Sequence, residues 1–233
     1  MSFNLMANLV SWNVRGLNWP NKQEDIKLFL QIHKVGLIGL LETKVKLHKT
    51  DYIANNIFPR WKWKHNFHLN SKGRIWMAWN PAVYQVDILS MSDQYIHGMA
   101  LQLHTNKSFY ITVVYGQNHI VQRQILWEDI ISLAPQTEAW CVLGDFNPVT
   151  SKEDRIGGDC VTSQEIQELL PLLEECELQE APLSGAQFTW TNKTIWSRLD
   201  RVLLNAYWHD TFDYMHMKGL FFSWVNRVGK RVK

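Results

Sequence analysis

Residues 35–41, Val-Gly-Leu-Ile-Gly-Leu-Leu, carry no polar side chain, and the run stops at Glu42-Thr43-Lys44. A strand-length run with no wet face belongs to a sheet covered on both sides. The covering layer is visible just before it. Residues 9–14 are a short apolar run ending in Arg15-Gly16-Leu17-Asn18, and residues 22–33 then place Ile26, Phe29, Leu30 and His33 at helical spacing. The order is strand, loop, helix, buried strand, with Glu42 delivered to the carboxyl end.

The pattern changes after residue 60. Residues 61–68, 74–79, 83–89, 96–104 and 108–115 are strand-length runs separated by Asn, Ser, Gly, Pro or Asp, and are expected to form an antiparallel meander. Residues 121–133 form an amphipathic helix and 140–143 a buried strand that ends in Gly144-Asp145-Phe146-Asn147. Ser163 opens a helix reaching about Cys176, and residues 188–191 and 198–204 are the last clear strands. With helices outside sheets in both halves, no repeat and no linker, 233 residues are expected to form one domain over residues 1–222, followed by a divergent basic tail over 223–233.

Hydrophobic residues at 46% and charged residues at 20% describe a globular protein, and 12 Trp exceed what its core requires, so some rings belong at a surface or binding face. A net charge of +2 is too small to point to nucleic acid by itself, because phosphate affinity comes from clustered Lys and Arg. Cys141, Cys160 and Cys176 show no metal-site or disulfide spacing and read as reduced thiols. No basic leader and no membrane-length apolar run is present, so the expectation is an intracellular protein, nuclear or cytoplasmic, not secreted and not membrane-bound. The sequons at Asn106 and Asn192 are discounted accordingly.

Carboxylates at strand ends are the candidate chemistry. Glu42 either sits in a cleft or caps the next helix. Asp145 and Asn147 flank Phe146, and extended alternation would send both polar groups to one face and the ring to the core. Such convergent oxygens suit a hard cation that keeps most of its waters, and an Asx-turn would use the same residues. Asn13 ends the first strand, where its amide could simply bond its own backbone. Tyr115 closes the meander, where a half-buried core ring is the ordinary outcome. Thr189 lies opposite Phe188 and Trp190 in an alternating strand, and Arg198 and Asp200, two apart, could be an in-strand ion pair.

Together these segments resemble a known family. Ser-Trp-Asn-Val-Arg-Gly-Leu, Gly-Leu-Ile-Gly-Leu-Leu-Glu-Thr-Lys, Val-Val-Tyr-Gly, Val-Leu-Gly-Asp-Phe-Asn, Phe-Thr-Trp-Thr-Asn and Ser-Arg-Leu-Asp-Arg-Val-Leu are similar to the endonuclease/exonuclease/phosphatase superfamily, nearest to the endonuclease domain of plant LINE-type (non-LTR) retrotransposons. The resemblance spans about residues 8–220 and implies an α+β fold. That fold is a DNase I-like four-layer α/β/β/α sandwich of two mixed, mainly antiparallel sheets. The implied activity is DNA endonuclease chemistry, carried out by a monomer with magnesium, manganese being an alternative. Glu42 and Asn13 would hold the metal. Asp145 would activate the attacking water, Asn147 would help place water and phosphate, and Tyr115 and Thr189 would donate to the phosphate.

In the family the carboxylate matching Asp200 orients a histidine from a Ser-Asp-His motif about 25 residues downstream. Here that stretch reads Ser223-Trp224-Val225, and His209 and His216 come too early to replace it. The family's closing strand is likewise expected to be missing, since only residues 225–233 follow. Retained metal binding with impaired cleavage is the resulting expectation. Alternatives are a noncatalytic nucleic-acid-binding relic of the fold, and a phosphatase or abasic-site repair enzyme.

Overall fold

The computed structural model describes residues 8–69 and 74–212 together with the backbone of 217–219. The chain opens with β1 (Asn8–Asn13), α1 (Pro20–Ile32), β2 (Val35–Leu41), α2 (Thr50–Ile57), β3 (Lys62–His65) and β4 (Ile75–Trp79). β5 (Tyr84–Met91), β6 (Tyr95–Gln102), β7 (Lys107–Tyr115), α3 (Ile120–Ser132) and β8 (Trp140–Asp145) follow. The last third has shorter pieces: β9 (Arg155–Ile156), α4 (Ser163–Gln167), α5 (Leu170–Glu175), β10 (Gln179–Glu180), β11 (Leu183–Gly185), β12 (Trp190–Thr191), β13 (Trp196–Ser197), β14 (Asp200–Leu204), α6 (Ala206–Thr211) and β15 (Met217–Gly219).

Two mixed sheets result, one in the order β1-β2-β4-β3 and the other β10-β14-β8-β7-β6-β5. Within them β1 runs parallel to β2 and β7 parallel to β8, while the remaining pairs are antiparallel. Strand alternation sorts the core into layers. Leu37 and Leu41 of β2 point between the sheets with Ile111 and Val113 of β7 and with Cys141 and Leu143 of β8. Ile38 and Leu40 point the other way, onto Ile26, Phe29 and Leu30 of α1 and Ile53 of α2. Trp140 and Val142 of β8 meet Leu126, Trp127 and Ile130 of α3 and Leu172 of α5. This is the expected four-layer α/β/β/α sandwich.

The sheets pack tightly at Gly39, where an added Cβ would lie 2.4 Å from Val113 Cγ1. A methyl there must push the layers apart. Gly39→Ala is expected to lower stability by about 1–3 kcal/mol, read as a shifted urea midpoint with an unchanged slope.

The expected single meander divides between the sheets. β3 and β4 join β2, and only β5, β6 and β7 form a meander. Burial explains the split: every residue of β4 is buried, as for β2, whereas β5 alternates as an edge strand does. The helix expected from Ser163 to about Cys176 breaks into α4 and α5, with Pro171 in the first turn of the second, where its missing N–H costs no hydrogen bond. The closing strand and Ser223-Trp224-Val225 lie outside the described residues, as does the 223–233 tail. Among the described residues, Cys141, Cys160 and Cys176 are free thiols, and no helix is long and apolar enough to cross a membrane.

Candidate active site

The carboxyl ends of β1, β2, β7 and β8 converge on one side of the sandwich. Asp145 stands beside Tyr115 in the β7/β8 pairing and beside Asp200 in the β8/β14 pairing, and Asn13 lies beside Leu41, one residue before Glu42. The Asn13 amide joins the two sheets. Its Nδ2 donates at 3.0 Å to Glu42 Oε1 and at 3.0 Å to Asp145 Oδ2, which sets these carboxylate oxygens about 6 Å apart at most. Asn13 Oδ1 accepts from the Arg15 amide at 3.2 Å. Both the local bond foreseen for Asn13 and the long-range one are formed. In this state Asn13 aligns the carboxylates with its nitrogen.

Glu42, at φ 51°, opens into the cleft and takes no part in helix capping. Its other oxygen receives Lys44 Nζ at 2.7 Å, and the Tyr115 hydroxyl lies near enough to the same carboxylate to help lower it. Burial pushes the Glu42 carboxyl up, but Lys44 and Asn13 together hold it below its ordinary value. Asp145 lies 4% exposed and shifts the other way. Burial raises it and the Glu42 charge adds to the rise, against the bonds from Asn13 and the Asn147 amide. Asp200 is raised by burial and by the facing Asp145 charge.

Phe146 turns into the core against Trp127, as the alternation required. Asn147 departs from it: its φ is 72°, its amide bonds Asp145 Oδ1 at 3.1 Å in an Asx-type turn, and its Nδ2 donates to the Gly116 carbonyl. The turn and the site are therefore one structure. Gly144 before it has φ 149°, and an added Cβ would lie 2.0 Å from the Val114 carbonyl oxygen, so glycine is required there.

Thr189 Oγ1 accepts from the Leu199 and Asp200 amides at 3.1 Å each, which holds the hydroxyl near the Asp200 carboxyl and tempers its rise. The in-strand Arg198–Asp200 ion pair does not form. Arg198 turns to Glu180 and Asp154, and buried Arg201 donates to the same two acids, while Asp200 of β14 pairs with Asp145 on β8, Glu180 being on the opposite neighbour β10.

The cluster opens into a cleft of about 700 Å³. Sequence reasoning did not single out several of its wall residues: Lys44, Arg74, Asn118, Arg155 and Trp190. Lys44 could have been found from its position two residues after Glu42. Arg74 and Arg155 gave no local signal, since only the sandwich brings their loops to the cleft. Arg74 lies 5.4 Å over the Tyr115 ring. Surface rings are also present, Trp19 at 76% exposure and Trp196 at 37%.

The donor set fits a hard divalent cation: a carboxylate on Glu42 that opens into the cleft, a second carboxylate on Asp145 linked to it through the Asn13 amide, and like charges that a cation would relieve. Among the described residues no group of three or more His, Cys, Asp and Glu forms a ready cage. Magnesium does not need one, since it takes one or two carboxylates and otherwise keeps its waters.

A two-sheet sandwich with paired carboxylates at the ends of its central strands defines a DNase I-like protein. The chain belongs to the endonuclease/exonuclease/phosphatase family, whose profile matches residues 10–214. No curated protein sequence matches it significantly. Similar solved structures include an AP endonuclease from Leishmania major (TM-score 0.67, 11% identity, covering 85% of this chain and 79% of that one). The endonuclease domain of TRAS1, a telomere-specific non-LTR retrotransposon, aligns with TM-score 0.65 at 11% identity, covering 86% of each chain. A mannosyl-6-phosphatase from Bacteroides thetaiotaomicron aligns with TM-score 0.59 at 14% identity, covering 85% of each. At these identities the likeness is one of fold.

Proposed function

We propose that this chain is a magnesium-dependent phosphodiesterase that cuts DNA, of LINE-type retrotransposon origin, with turnover impaired at its final motif. The observation that carries the reading is the Asn13 amide holding Glu42 and Asp145 on one cleft. The motif wording supports the retrotransposon branch, and the TRAS1 domain is an example of a retrotransposon endonuclease with this fold. Glu42 is assigned to hold the cation, with Asn13 aligning it. A bound divalent ion supplies Lewis-acid stabilisation of charge on a phosphate oxygen.

The protein's own groups do the rest. Asp145, raised above an ordinary carboxylate, is a stronger base for the proton of an attacking water. Asn147 and Tyr115 border the position of that water and the phosphate. Lys44, Arg74 and Arg155 on the cleft wall are the groups placed to meet a phosphate backbone, Lys44 and Arg155 from ion pairs with Glu42 and Glu165. We assign the protein as an intracellular monomer.

Nicking of supercoiled plasmid with and without magnesium tests the reading. Slow, magnesium-dependent nicking is expected, and nicking at a rate near that of an intact family member would refute the impairment. One sequence observation favours a second reading, a noncatalytic DNA-binding relic: Trp224-Val225 stand where the resemblance leads one to expect Asp-His. Salt-dependent DNA binding without cleavage would select that reading. Turnover of an abasic duplex or a small phosphoester in preference to plasmid would instead select repair or phosphatase chemistry.

A further inference from the structure

Segment 115–119 leaves β7 at the cleft and carries Tyr115 and Asn118 on its wall. It also receives Asn147, whose side chain bonds the Gly116 carbonyl, and its Gly116 amide donates to the Asp145 carbonyl at 2.7 Å. The placement of three cleft residues therefore depends on this loop. A loop so short is held by what its backbone touches, and here one side chain dominates. Arg123 Nη1 donates at 2.7 Å to both the Gln117 and the Asn118 carbonyls.

The same guanidinium is gripped from behind. Arg123 Nε and Nη2 form a two-pronged pair with the Glu168 carboxylate at 2.5 and 2.7 Å, and the two side chains are only 10% and 4% exposed. A planar fork whose four bonds are all made has one orientation, which a lysine could not reproduce. Gln94 completes the hold from the other side. Its Oε1 accepts from the Gln117 amide at 2.8 Å, and its Nε2 bonds the Gln122 carbonyl at 2.8 Å.

We infer that the Arg123–Glu168 pair is a positioning device for hydrolysis, fixing the backbone of residues 116–118 so that Tyr115, Asn118 and Asn147 are aligned before substrate arrives. This rests on the proposed phosphodiesterase reading. Arg123 lies behind the loop and acts through Gln117 and Asn118. Burial alone would make Arg123 and Glu168 a structural ion pair between α3 and the α4–α5 junction. The two carbonyl bonds toward the cleft loop are what a purely structural pair does not need.

Arg123→Lys separates the two roles, because the ammonium can keep the charge pair with Glu168 while losing the fork that also reaches both carbonyls. Arg123→Gln removes both. The measurements are kcat and KM for plasmid nicking by the full chain in magnesium, melting temperature, and amide hydrogen exchange of residues 116–119. For Arg123→Lys we expect kcat to fall about 10- to 100-fold with KM within about twofold, exchange in 116–119 to rise, and melting to fall less than in Arg123→Gln. Arg123→Gln should show the same kinetic loss with lower melting. Wild-type kcat or unchanged exchange in folded Arg123→Lys would overturn the positioning role, as would a rate loss in both variants that merely follows melting temperature. A wild-type protein that turns over no phosphodiester overturns the functional reading, and this inference with it, and is distinguished from the other failures by the wild-type lane.

Discussion

Asp145→Asn is expected to reduce magnesium-dependent nicking by about 10²- to 10⁴-fold while leaving the protein folded and at least as stable as wild type at neutral pH. The loss of rate follows from removing the group assigned to accept the proton of water. The effect on stability follows from electrostatics. Asp145 is buried beside Glu42 and Asp200, and burial together with the Glu42 charge holds its carboxyl above the ordinary 3.8. A group raised on folding contributes stability below its unfolded value and loses it as pH rises through the folded value. Near pH 7 the wild-type carboxylate is thus ionised at a cost, which the neutral amide avoids at the loss of one accepted hydrogen bond. Urea midpoints should show the variant gaining on wild type between about pH 4 and about pH 7. Retained nicking would remove Asp145 from the chemistry, and an unfolded variant would mean that its hydrogen bonds outweigh its charge.

The second large effect is a gain. Trp224→Asp together with Val225→His is expected to raise nicking by about 10²-fold or more, the scale of a lost transition-state donor. Asp200 supplies the reason. Its carboxyl faces Asp145, is raised by burial and by that neighbour's charge, and is oriented by Thr189. A buried acid in that setting would be drawn to its charged form by a cationic imidazole, the partner that the resemblance assigns to a Ser-Asp-His motif and that, on our proposal, Ser223-Trp224-Val225 does not supply. Asp200→Asn in the doubly changed protein should abolish the gain, which ties the effect to this pair. No gain from the double change, in a protein that still binds DNA, would place the defect elsewhere or point to a domain that no longer cleaves.

Most of the architecture was legible because buried strands and amphipathic helices leave strong periodic traces. The uniformly apolar run of β2 was read at its true bounds, and Phe146 was read correctly as a core ring from its polar neighbours. The assignment of β3 and β4 to one sheet and β5 to β7 to the other was not legible, because local alternation does not say which sheet a strand joins. The short α2, Thr50–Ile57, was also missed, lacking a capping side chain to mark its start. At the site, residue types at strand ends identified Glu42, Asp145 and Asn13. The bonds among them were not readable. Asn147 adopts a positive φ that extended alternation does not anticipate, and Arg198 prefers Glu180 and Asp154 over Asp200 because of a three-dimensional acid cluster. Arg123, the fork behind the loop, carries no local signal, because its partner Glu168 is distant in sequence and only the fold brings the two together.

The central claim is that Glu42 and Asp145, joined through Asn13, make one cation pocket. Calorimetric titration of the full chain with magnesium, or manganese followed by electron paramagnetic resonance, tests it without requiring turnover. Saturable binding that Glu42→Gln weakens at least about tenfold, with the fold unchanged, is the expected result. Binding of equal strength in wild type and Glu42→Gln would contradict the pocket.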